Sequence, residues 1–539
     1  MTPSNVGLKV EVERGPDRSI ARLATARTAF VGRTLRGPVD RPVFIKSFGD
    51  FQHIFGGLWQ PSPLGYAVEQ FFDNGGREAL IVRVVNGARS ATLMLRAGRE
   101  TLKLQALRPG TREYLRASVD YDNIPDEPPA CFNLTVQRVR AQGTAQVVDQ
   151  EIFASLSLLP ATENFVPLAL AKSQLVRSIG ELPAVRPDRT LDPATGLATA
   201  YVYSSSDGDD GAPLSDYDLI GSQIDSTGLF ALASADYFNF LCLPPLSRDR
   251  DVGPSALLVA TRYCKQRRAL LIVDPPSQWH TADDALANLR DWNLSSEDAL
   301  MYFPHILAHD KLRGHFESFA PCGAVAGMLS RSDEIFPLWD PERNDEAVLR
   351  PGYRPTCMVP DDRRNRLAQA GVNTIQGVRS AARVGPRPRT LASGFAANAD
   401  WQYLSARRLA LFIVNSIEQG TRWVMAEQPS QEVAEQVAAQ VRVFFEALFV
   451  SGAFRARRVE EAFFVICDHR AATPSATVDE FQFLIGFAAN REHEFHAYRI
   501  SHSRTGSTVQ PVSLNRLNFA QYSPAELEWV DKIAAQLEP

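Results

Sequence analysis

The chain has 539 residues, with 57 Lys or Arg and 62 Asp or Glu, which gives a formal net charge of −5 at pH 7. At roughly 150 residues per domain, this length allows several domains with large buried cores. The composition is 45% hydrophobic and 22% charged. These ordinary values argue against a disordered tail, a collagen-like fibre and a strongly basic nucleic-acid-binding protein, but they select no function.

Signals for export or membrane insertion are absent from the sequence. The first residues, MTPSNVGLKVEVERG, contain no basic segment followed by an apolar one, so no secretory signal is predicted. The longest apolar stretch, Leu409 to Ile417, is far shorter than the roughly 18 residues that a membrane helix needs. The six cysteines are widely spaced and form no CxxC pair. They predict reduced, mostly buried thiols in a protein made in the cytosol.

The N-terminus contains an isolated strand pattern. Apolar and charged side chains alternate along Leu8, Lys9, Val10, Glu11 and Val12. A period of two predicts a half-buried strand, and the Gly-Pro pair that follows ends it. Because no partner lies at hairpin distance, this strand is expected to pair with a remote sheet edge, in its own domain or in a neighbouring molecule.

An α/β unit follows the isolated strand. Ala29 to Val31 predicts a short buried strand, and Ser62-Pro63 predicts the start of a helix. That helix has an apolar face made of Leu64, Ala67, Val68, Phe71 and Phe72. Ala79 to Val85 then predicts a second buried strand. The order strand, helix, strand favours a buried, mainly parallel sheet.

The middle of the chain changes in pattern twice. From about Asn86 to Pro193, short alternating runs separated by Gly or Pro predict a β-rich module inserted into the α/β part. Thr199 to Tyr217 reads as a polar linker rich in Gly and Asp. Beyond it, apolar strands alternate with helices, which is typical of a doubly wound sheet. Pro337 to Leu391 is irregular and rich in Pro and Arg.

The C-terminal third has strong helical and strand patterns. Leu404 to Ile417 predicts a buried helix ended by Gly420, and Ser430 predicts the cap of a second helix. Strands are predicted at Ala462 to Cys467, Phe481 to Ala488 and Glu494 to Ile500. At the end of the chain, Ser523-Pro524-Ala525-Glu526 is a capping box that opens a helix through Leu537.

Several residues are candidates for an enzyme or metal site. His305 and His309 would lie one turn apart on a helix, but Ile306 stands where a zincin has its acid. An acidic loop follows the insertion, with members Asp207, Asp209, Asp210, Asp216 and Asp218. Its spacing departs from that of a calcium-binding EF-hand, which favours a solvated loop. Asp274 follows an apolar strand, where α/β folds often place functional groups, although an Asp before Pro-Pro is more often a turn residue.

Ten sequence motifs occur in an order that resembles the contractile tail sheath proteins of phages, R-type bacteriocins and extracellular contractile injection systems. The first are TAFVGRTLRGPVDRPVFIKSFGDFQHIFGG, LGYAVEQFFDNGGREALIVRVV and SDGDDGAPLSDYDLIG. The middle ones are STGLFALASADYFNFLCLPP, YCKQRRALLIVDPP, SSEDALMYFPHIL, CGAVAGMLSRSD and AGVNTIQGVRS. The last are RTLASGFAANADWQYLSARRLALFIVNSIEQGTRWVMAEQPS and EEAFFVICD. They extend from about Thr28 to Phe495 and leave the β-rich insertion outside.

The resemblance implies an α/β, multidomain sheath fold. Its middle would be a subtilisin-like α/β domain that lacks a catalytic triad, and its C-terminal α/β domain would be joined by the N-terminal segment. The expected segments are an arm (1–27), an N-terminal part of the core (28–86), an outer β-rich insertion (87–198), the subtilisin-like domain (199–390), a tube-proximal domain (391–502) and an extension with a capped helix (503–539).

The same resemblance implies a structural function. The subunit is expected to polymerise into a helical sheath of hexameric discs around an inner tube, and to contract without enzyme activity, cofactor or metal. Its expected partners are itself, the tube protein, and baseplate and tail terminator proteins, with no nucleic acid and no membrane insertion. The expected location is a virion tail or contractile particle assembled in the bacterial cytoplasm.

The resemblance also assigns candidate contact residues. Inter-subunit strands are expected at Leu8 to Val12 and at the segment containing Phe495, Tyr498 and Ile500. The tube-facing side is expected on the helix that carries Glu432, Glu435 and Arg442. Whether the C-terminal helix covers its own subunit or locks a neighbour stays open.

Two other functions stay open at the level of the sequence. One is an α/β hydrolase-like enzyme with a site near Asp274 or His305. The other is a host-surface adhesin built on the insertion. The sequence also leaves open whether the particle is a phage, a bacteriocin or an injection system.

Overall fold

The structure of the protein is a computed structural model. It describes residues 18–124, 131–141, 143–192, 196, 200–205, 207–292, 294–340, 347–378, 381–385, 387–394, 401–428, 430–467, 480–489 and 494–512. The strand predicted at Leu8 to Val12 and the capped helix predicted from Pro524 to Leu537 lie outside these residues.

The described strands and helices are numbered here in chain order. The strands are β1 (Thr28–Gly32), β2 (Val43–Ile45), β3 (Ala79–Arg83), β4 (Thr92–Ala97), β5 (Glu100–Ala106), β6 (Leu115–Asp120), β7 (Cys131–Val139), β8 (Val147–Ser157), β9 (Val176–Ile179), β10 (Val202–Tyr203), β11 (Phe240–Cys242), β12 (Leu270–Val273), β13 (Ala299–Phe303), β14 (Ile306–Asp310), β15 (His315–Phe319), β16 (Arg354–Pro355), β17 (Val372–Val378), β18 (Ala381–Val384), β19 (Phe463–Ile466), β20 (Phe481–Phe487), β21 (His496–Ser503) and β22 (Gly506–Val512). The helices are α1 (Phe48–Phe55), α2 (Leu64–Asp73), α3 (Val166–Leu170), α4 (Asp216–Ile220), α5 (Pro254–Arg267), α6 (Ala282–Trp292), α7 (Cys322–Ile335), α8 (Asp361–Gln369), α9 (Leu404–Gly420), α10 (Gln431–Val450) and α11 (Val459–Ala462).

An eight-stranded sheet forms the centre of the protein, in the order β18-β17-β13-β12-β11-β1-β3-β2. The six inner strands are parallel, and β2 and β18 are antiparallel to their neighbours at the two edges. Strands β12 and β13 are buried along their whole length, because helices cover both faces of the sheet. Helices α2 and α7 pack on one face, and α5 packs on the other. The predicted doubly wound α/β architecture is therefore confirmed.

The N-terminal part of the core belongs to this central sheet. Strand β1 lies between β3 and β11, and it pairs in parallel with both. The resemblance implies that the N-terminal segment joins the C-terminal domain, but strands β1 and β3 of residues 28–86 are paired within the central sheet instead. Sequence periodicity identifies these strands correctly but cannot show with which strands they pair.

Helices α2 and α7 approach each other closely because two glycines line their contact. A Cβ atom at Gly327 would lie 2.2 Å from the carbonyl oxygen of Phe71, and one at Gly323 would lie 2.1 Å from that of Ala67. Both distances are far below any real van der Waals contact. Only glycine therefore allows this helix spacing. The predicted apolar face of α2 is buried as a result, except for Phe72, which is half-buried.

The insertion between β3 and β11 is β-rich, as predicted. One of its sheets has the order β4-β5-β9 and the other has the order β10-β6-β7-β8. Alternate side chains of the two sheets share a separate core that includes Leu104, Phe132 and Leu134. A satellite sheet of β15-β14-β16 follows the central strand β13.

The C-terminal module consists of α9, α10 and a sheet in the order β19-β20-β21-β22. Ser430 caps α10 by accepting a hydrogen bond from the Val433 N–H, as predicted. The apolar stripe of α10 is buried and includes Val437, Val441 and Leu448. This stripe and the sheet enclose a core with stacked aromatic rings, such as Phe445 on Phe463 at 4.7 Å between centroids.

Candidate functional site

The carboxyl edge of the central sheet, where an enzyme site was considered, is closed around Asp274. This residue follows β12, and its Oδ1 accepts a hydrogen bond from the Cys322 N–H at the start of α7, at 2.8 Å. Burial raises the pKa of Asp274 to about 7. Its Oδ2 has no hydrogen-bond partner among the described residues. The carboxyl group therefore faces the first turn of a helix and is enclosed by protein.

The groups around Asp274 are not activated for catalysis. Cys242 Sγ lies 3.8 Å from the carbonyl oxygen of Cys322, and burial raises the pKa of both thiols. A nucleophilic cysteine needs the opposite shift, because the thiolate is its reactive form. His305 Nε2 lies 3.0 Å from the carbonyl oxygen of Pro275, and burial lowers its pKa. This cluster packs the end of the sheet, and it does not support a hydrolase.

The two histidines weighed as metal ligands do not lie on a helix. Ile306 to Asp310 form strand β14, so His305 and His309 are separated along an extended backbone. The His309 ring instead packs edge-on against Phe316 in the neighbouring strand. Within the described part of the chain, no three His, Cys, Asp or Glu side chains are arranged to hold a metal ion.

The carboxylates of the acidic loop bind groups of the protein itself. Hydrogen bonds from the Ser205 and Thr92 side chains lower the pKa of Asp207 to about 2. Asp210 accepts hydrogen bonds from the N–H and the hydroxyl of Thr111, both at 2.8 Å. The remaining three bind nearby backbone N–H groups: Asp209 binds that of Gly211, Asp216 that of Gly253 and Asp218 that of Ser215. The loop thus fastens the insertion to the core.

No helix in the described ranges combines the length and the apolar character that crossing a membrane requires.

The candidate contact segment with Phe495, Tyr498 and Ile500 lies at or in strand β21. This strand pairs with β20 on one side and with β22 on the other, so both of its edges are occupied within its own subunit. Ile500 is fully buried in the C-terminal core, and Phe495 packs near Phe464. The segment therefore offers no free edge to a neighbouring subunit in this structure, because its own hairpin strand β22 takes that place.

Helix α9 is joined to the central sheet domain by two buried arginines, Arg407 and Arg408, and by the half-buried Arg268. Three ion pairs connect the two parts: Arg407 to Asp298 at 2.6 Å, Arg408 to Asp333 at 2.9 Å, and Arg268 to Glu418 at 3.1 Å. Burial alone would lower the pKa of Arg407, but the Asp298 and Glu297 carboxylates raise it above its usual value. Burying charges without partners would cost several kcal/mol each, so these pairs fix the two parts in one geometry.

Sequence reasoning missed this junction. It predicted that α9 is buried but gave no role to the two arginines in its run ARRLALFIV. Two adjacent charges in an otherwise apolar helix are the signal that could have indicated buried partners. The partners themselves, at Asp298 and Asp333, are distant in sequence.

The segment from Arg18 to Ala24 crosses the C-terminal module before the chain enters β1. Arg18 contacts Glu427 at 3.2 Å, and its guanidinium lies 3.9 Å from the centre of the Trp423 ring. Ile20 packs on Gly420 at the end of α9. This linker therefore contacts the C-terminal module, whereas strand β1, which follows it, belongs to the central sheet.

The outer side of α10 carries the residues predicted to face the tube. Glu432, Glu435 and Arg442 are all exposed. They share this side with Val443 and Val450, which are 63% and 85% exposed. Large exposed apolar side chains beside charged ones are typical of a protein contact surface.

Comparison with solved structures finds a similar fold in sheath proteins. A sheath tail protein from Listeria innocua has a similar structure, with a TM-score of 0.60 and 13% identity over 90% of this chain and 97% of that chain. A sheath tail protein from Desulfitobacterium hafniense gives a TM-score of 0.50 and 13% identity over 92% and 100%.

A third similar structure belongs to an extracellular contractile injection system. It is the PVC sheath complex in the contracted state, with a TM-score of 0.52 and 15% identity over 92% of this chain and 96% of that chain. No model of a protein family matches the chain, and no curated protein matches it in sequence. The fold of this chain is therefore that of tail sheath proteins, and the resemblance found in the motifs is confirmed at the level of the fold.

Proposed function

We propose that this protein is a structural tail sheath subunit without catalytic activity. The observation that carries this proposal is the structural match along 90% of the chain, which spans 97% of the Listeria innocua sheath tail protein. The subunits would polymerise into a helical sheath of hexameric discs around an inner tube. Contraction of the sheath would then drive the tube through a target cell envelope.

The source of the energy would be the lattice itself. Heterologous contacts that do not close into a ring generate a helix, which is the symmetry of a sheath. Subunits held in a metastable extended lattice release free energy when they rotate into a better-packed one, so that no cofactor is needed. The central domain would correspond to the subtilisin-like domain of the resemblance, without a catalytic triad.

The internal joint at α9 supports a force-transmitting role. A subunit that transmits force between the tube and the lattice needs a rigid connection between its own domains. The pairs Arg407–Asp298, Arg408–Asp333 and Arg268–Glu418 connect α9 to the central domain in and beside a buried apolar interface. We expect the C-terminal module and the central domain to move as one body.

The inter-subunit arm would be the N-terminal strand Leu8 to Val12. It would add to an open edge of a neighbour's C-terminal sheet, whose edges are β19 and β22. Strand β22 contains Pro511, which lacks the N–H that pairing needs. The β19 edge is therefore the better acceptor, and each shared backbone hydrogen bond would contribute about 0.5–1.5 kcal/mol.

Two further contacts belong to the same proposal. The α10 face with Glu432, Glu435 and Arg442 would lie against the inner tube, and the insertion would lie on the outside. Baseplate and tail terminator proteins would bind the two ends of the sheath. The particle would assemble in the bacterial cytoplasm.

Deletion of Met1 to Arg14 tests the arm. The variant is expected to keep the thermal unfolding of the full chain, because the strand would belong to a neighbour, and to form no tubes in negative-stain electron microscopy. A matched control replaces the same segment by a scrambled one that breaks the alternation. If the deletion itself unfolds the protein, the strand belongs to its own subunit, and if tubes still form, the arm is not required.

A further inference from the structure

Four arginines with Glu113 as a common electrostatic neighbour lie where the insertion joins the central sheet domain, at the carboxyl end of β1 and β3. They are Arg36 in the loop after β1, Arg83 at the end of β3, Arg108 in the loop after β5, and Arg138 near the end of β7. We refer to them as the arginine cluster. Carboxyl ends of parallel strands are the usual place for ligands in α/β sheets.

Arg83 lies deepest in the arginine cluster. It is 1% exposed, and its Nη1 and Nη2 donate hydrogen bonds to the carbonyl oxygens of Gly37 and Pro109 at 2.7 and 2.9 Å. Its Nε has no partner in the described chain. No carboxylate forms an ion pair with it there, so its charge is left uncompensated by direct contact.

Arg138 has carboxylate partners but keeps a free donor. Its Nε donates a hydrogen bond to Glu113 Oε1 at 2.7 Å, and its Nη1 contacts Asp149. Its Nη2 is buried without a partner among described residues, and Glu113 Oε2 is likewise unpaired. A buried guanidinium normally fills all of its donor positions, so this one is available to a further acceptor.

Arg36 and Arg108 complete the cluster and are less well bound. Arg36 Nη2 donates a hydrogen bond to the His53 carbonyl oxygen at 2.9 Å, and its Nε is buried with no partner in the described ranges. Arg108 is half-buried, and its electrostatic neighbours are Arg138, Glu113, Asp149 and Arg36. We find no hydrogen bond or ion pair from its guanidinium to the described residues.

The charges in this junction do not balance. Four guanidinium groups stand against the two carboxylates of Glu113 and Asp149, which leaves an excess of two positive charges. The bordering Arg33 and Asp210 add one charge of each sign. Burial lowers the pKa of Arg36 and of Arg108, and it lowers that of Arg83 to about 10. Unpaired buried charge is costly unless an ion of opposite sign is present.

We propose that the arginine cluster binds a small tetrahedral oxyanion, either inorganic phosphate or sulfate, and that this ion fastens the insertion to the core. Guanidinium groups match the geometry of such oxygens and bind them with charge-assisted hydrogen bonds. Three buried N–H groups on different arginines are free to donate. Arg83 and Arg138 are almost fully buried, so a polyanion such as a nucleic acid could not reach them.

Equilibrium dialysis of the full chain with radiolabelled phosphate and, separately, with radiolabelled sulfate tests the proposal, at constant ionic strength set with chloride. We expect saturable binding of at least one of the two ions. Arg108→Gln should weaken the affinity roughly tenfold, about 1.4 kcal/mol, because the substitution removes a charged donor. It removes no hydrogen bond to described residues, so the fold should persist, which the circular dichroism spectrum checks.

Arg112→Gln is the matched control, since Arg112 lies in the same loop, carries the same charge and is exposed. Its affinity should equal that of the full chain. The proposal is overturned if the unsubstituted protein shows no saturable binding of either ion, or if Arg112→Gln weakens binding as much as Arg108→Gln does. It is also overturned if a short DNA duplex displaces the bound ion. Arg36→Gln provides a second variant should Arg108→Gln not fold.

Discussion

The joint between α9 and the central sheet domain can be broken at one residue. Arg407 Nε and Nη2 both donate hydrogen bonds to Asp298 Oδ1, at 3.2 and 2.6 Å. The side chains are 8% and 1% exposed. Arg407→Met keeps an unbranched apolar stem but removes the guanidinium group and its charge. It leaves the Asp298 carboxylate buried without its partner.

The expected cost follows from this burial. Removing one partner of a buried ion pair costs about 3–5 kcal/mol, because an uncompensated charge remains. Asp298 Oδ2 has no partner among the described residues even in the intact protein, so no second contact holds the carboxylate. Glu297, at 3.5 Å from Arg407 Nη2, would lose this ion pair as well. We therefore expect the upper half of this range.

A double-mutant cycle separates the energy of the Arg407–Asp298 ion pair from the cost of leaving the Asp298 carboxylate buried without a partner. Combining Arg407→Met with Asp298→Leu removes both charges and should recover most of the stability, since an apolar replacement of a buried pair is often neutral. The assay is urea unfolding of the dispersed subunit, followed by circular dichroism and by tryptophan fluorescence. Arg455→Met, at an exposed position, is the control. A cost below about 1 kcal/mol for Arg407→Met, a value typical of surface pairs, would refute the reasoning.

Three further predictions concern pH and packing. Folding raises the pKa of Asp274 from 3.8 to about 7. The free energy of unfolding should therefore decrease as the pH rises from 3.8 to about 7, by about 4 kcal/mol at most. Asp274→Asn should abolish this decrease, as measured by urea unfolding. Burial lowers the pKa of His502 from 6.5 to about 4. The free energy of unfolding should therefore decrease as the pH falls from 6.5 to about 4, and His502→Gln should lessen this decrease by up to about 3 kcal/mol. Gly327→Ala should lower the stability by about 1–3 kcal/mol or more, because its new Cβ would overpack against α2. Gly49→Ala should cause no such loss, because its new Cβ lies no closer than 3.5 Å to any neighbouring atom.

The two titrations have opposite slopes, so each is measured as a difference between variant and unsubstituted protein at each pH. Parallel pH curves for Asp274→Asn and the unsubstituted chain would show that this carboxyl group is not buried as described. Parallel curves for His502→Gln and the unsubstituted chain would show that the His502 ring, which shares hydrogen bonds with the hydroxyl groups of Thr421 and Ser507, is not buried as described. Equal melting temperatures for Gly327→Ala and Gly49→Ala would contradict the close contact of α2 and α7.

The sequence predicts local elements in this chain better than their partners. The apolar stripe of α10, its Ser430 cap and the strands of the C-terminal sheet follow from periodicity and capping chemistry. The pairing of strands cannot be predicted in this way. The pattern of β1 fits any parallel sheet, and only the structure shows that its neighbours are β3 and β11. The spacing of His305 and His309 fits a helix as well as a strand. Only the pairing of β14 with β15 decides between them.

The functional groups show the same limit more sharply. The exposed positions of Glu432, Glu435 and Arg442 follow from helical period alone. The burial of Arg407 and Arg83 does not, because it depends on carboxylates and carbonyl groups contributed by distant segments. A charged residue in an apolar run indicates that a partner exists, but the sequence does not say which one.

The central claim is that this chain assembles into a contractile-type sheath, and electron microscopy of the purified full-length protein tests it most directly. We predict tubular polymers at high protein concentration, with helical symmetry built from discs of six-fold symmetry in a reconstruction. The density of one subunit should accommodate α9 and the central sheet as a single rigid body. A protein that stays strictly monomeric at all concentrations and salt conditions, with no tubes on the grid, would contradict the account.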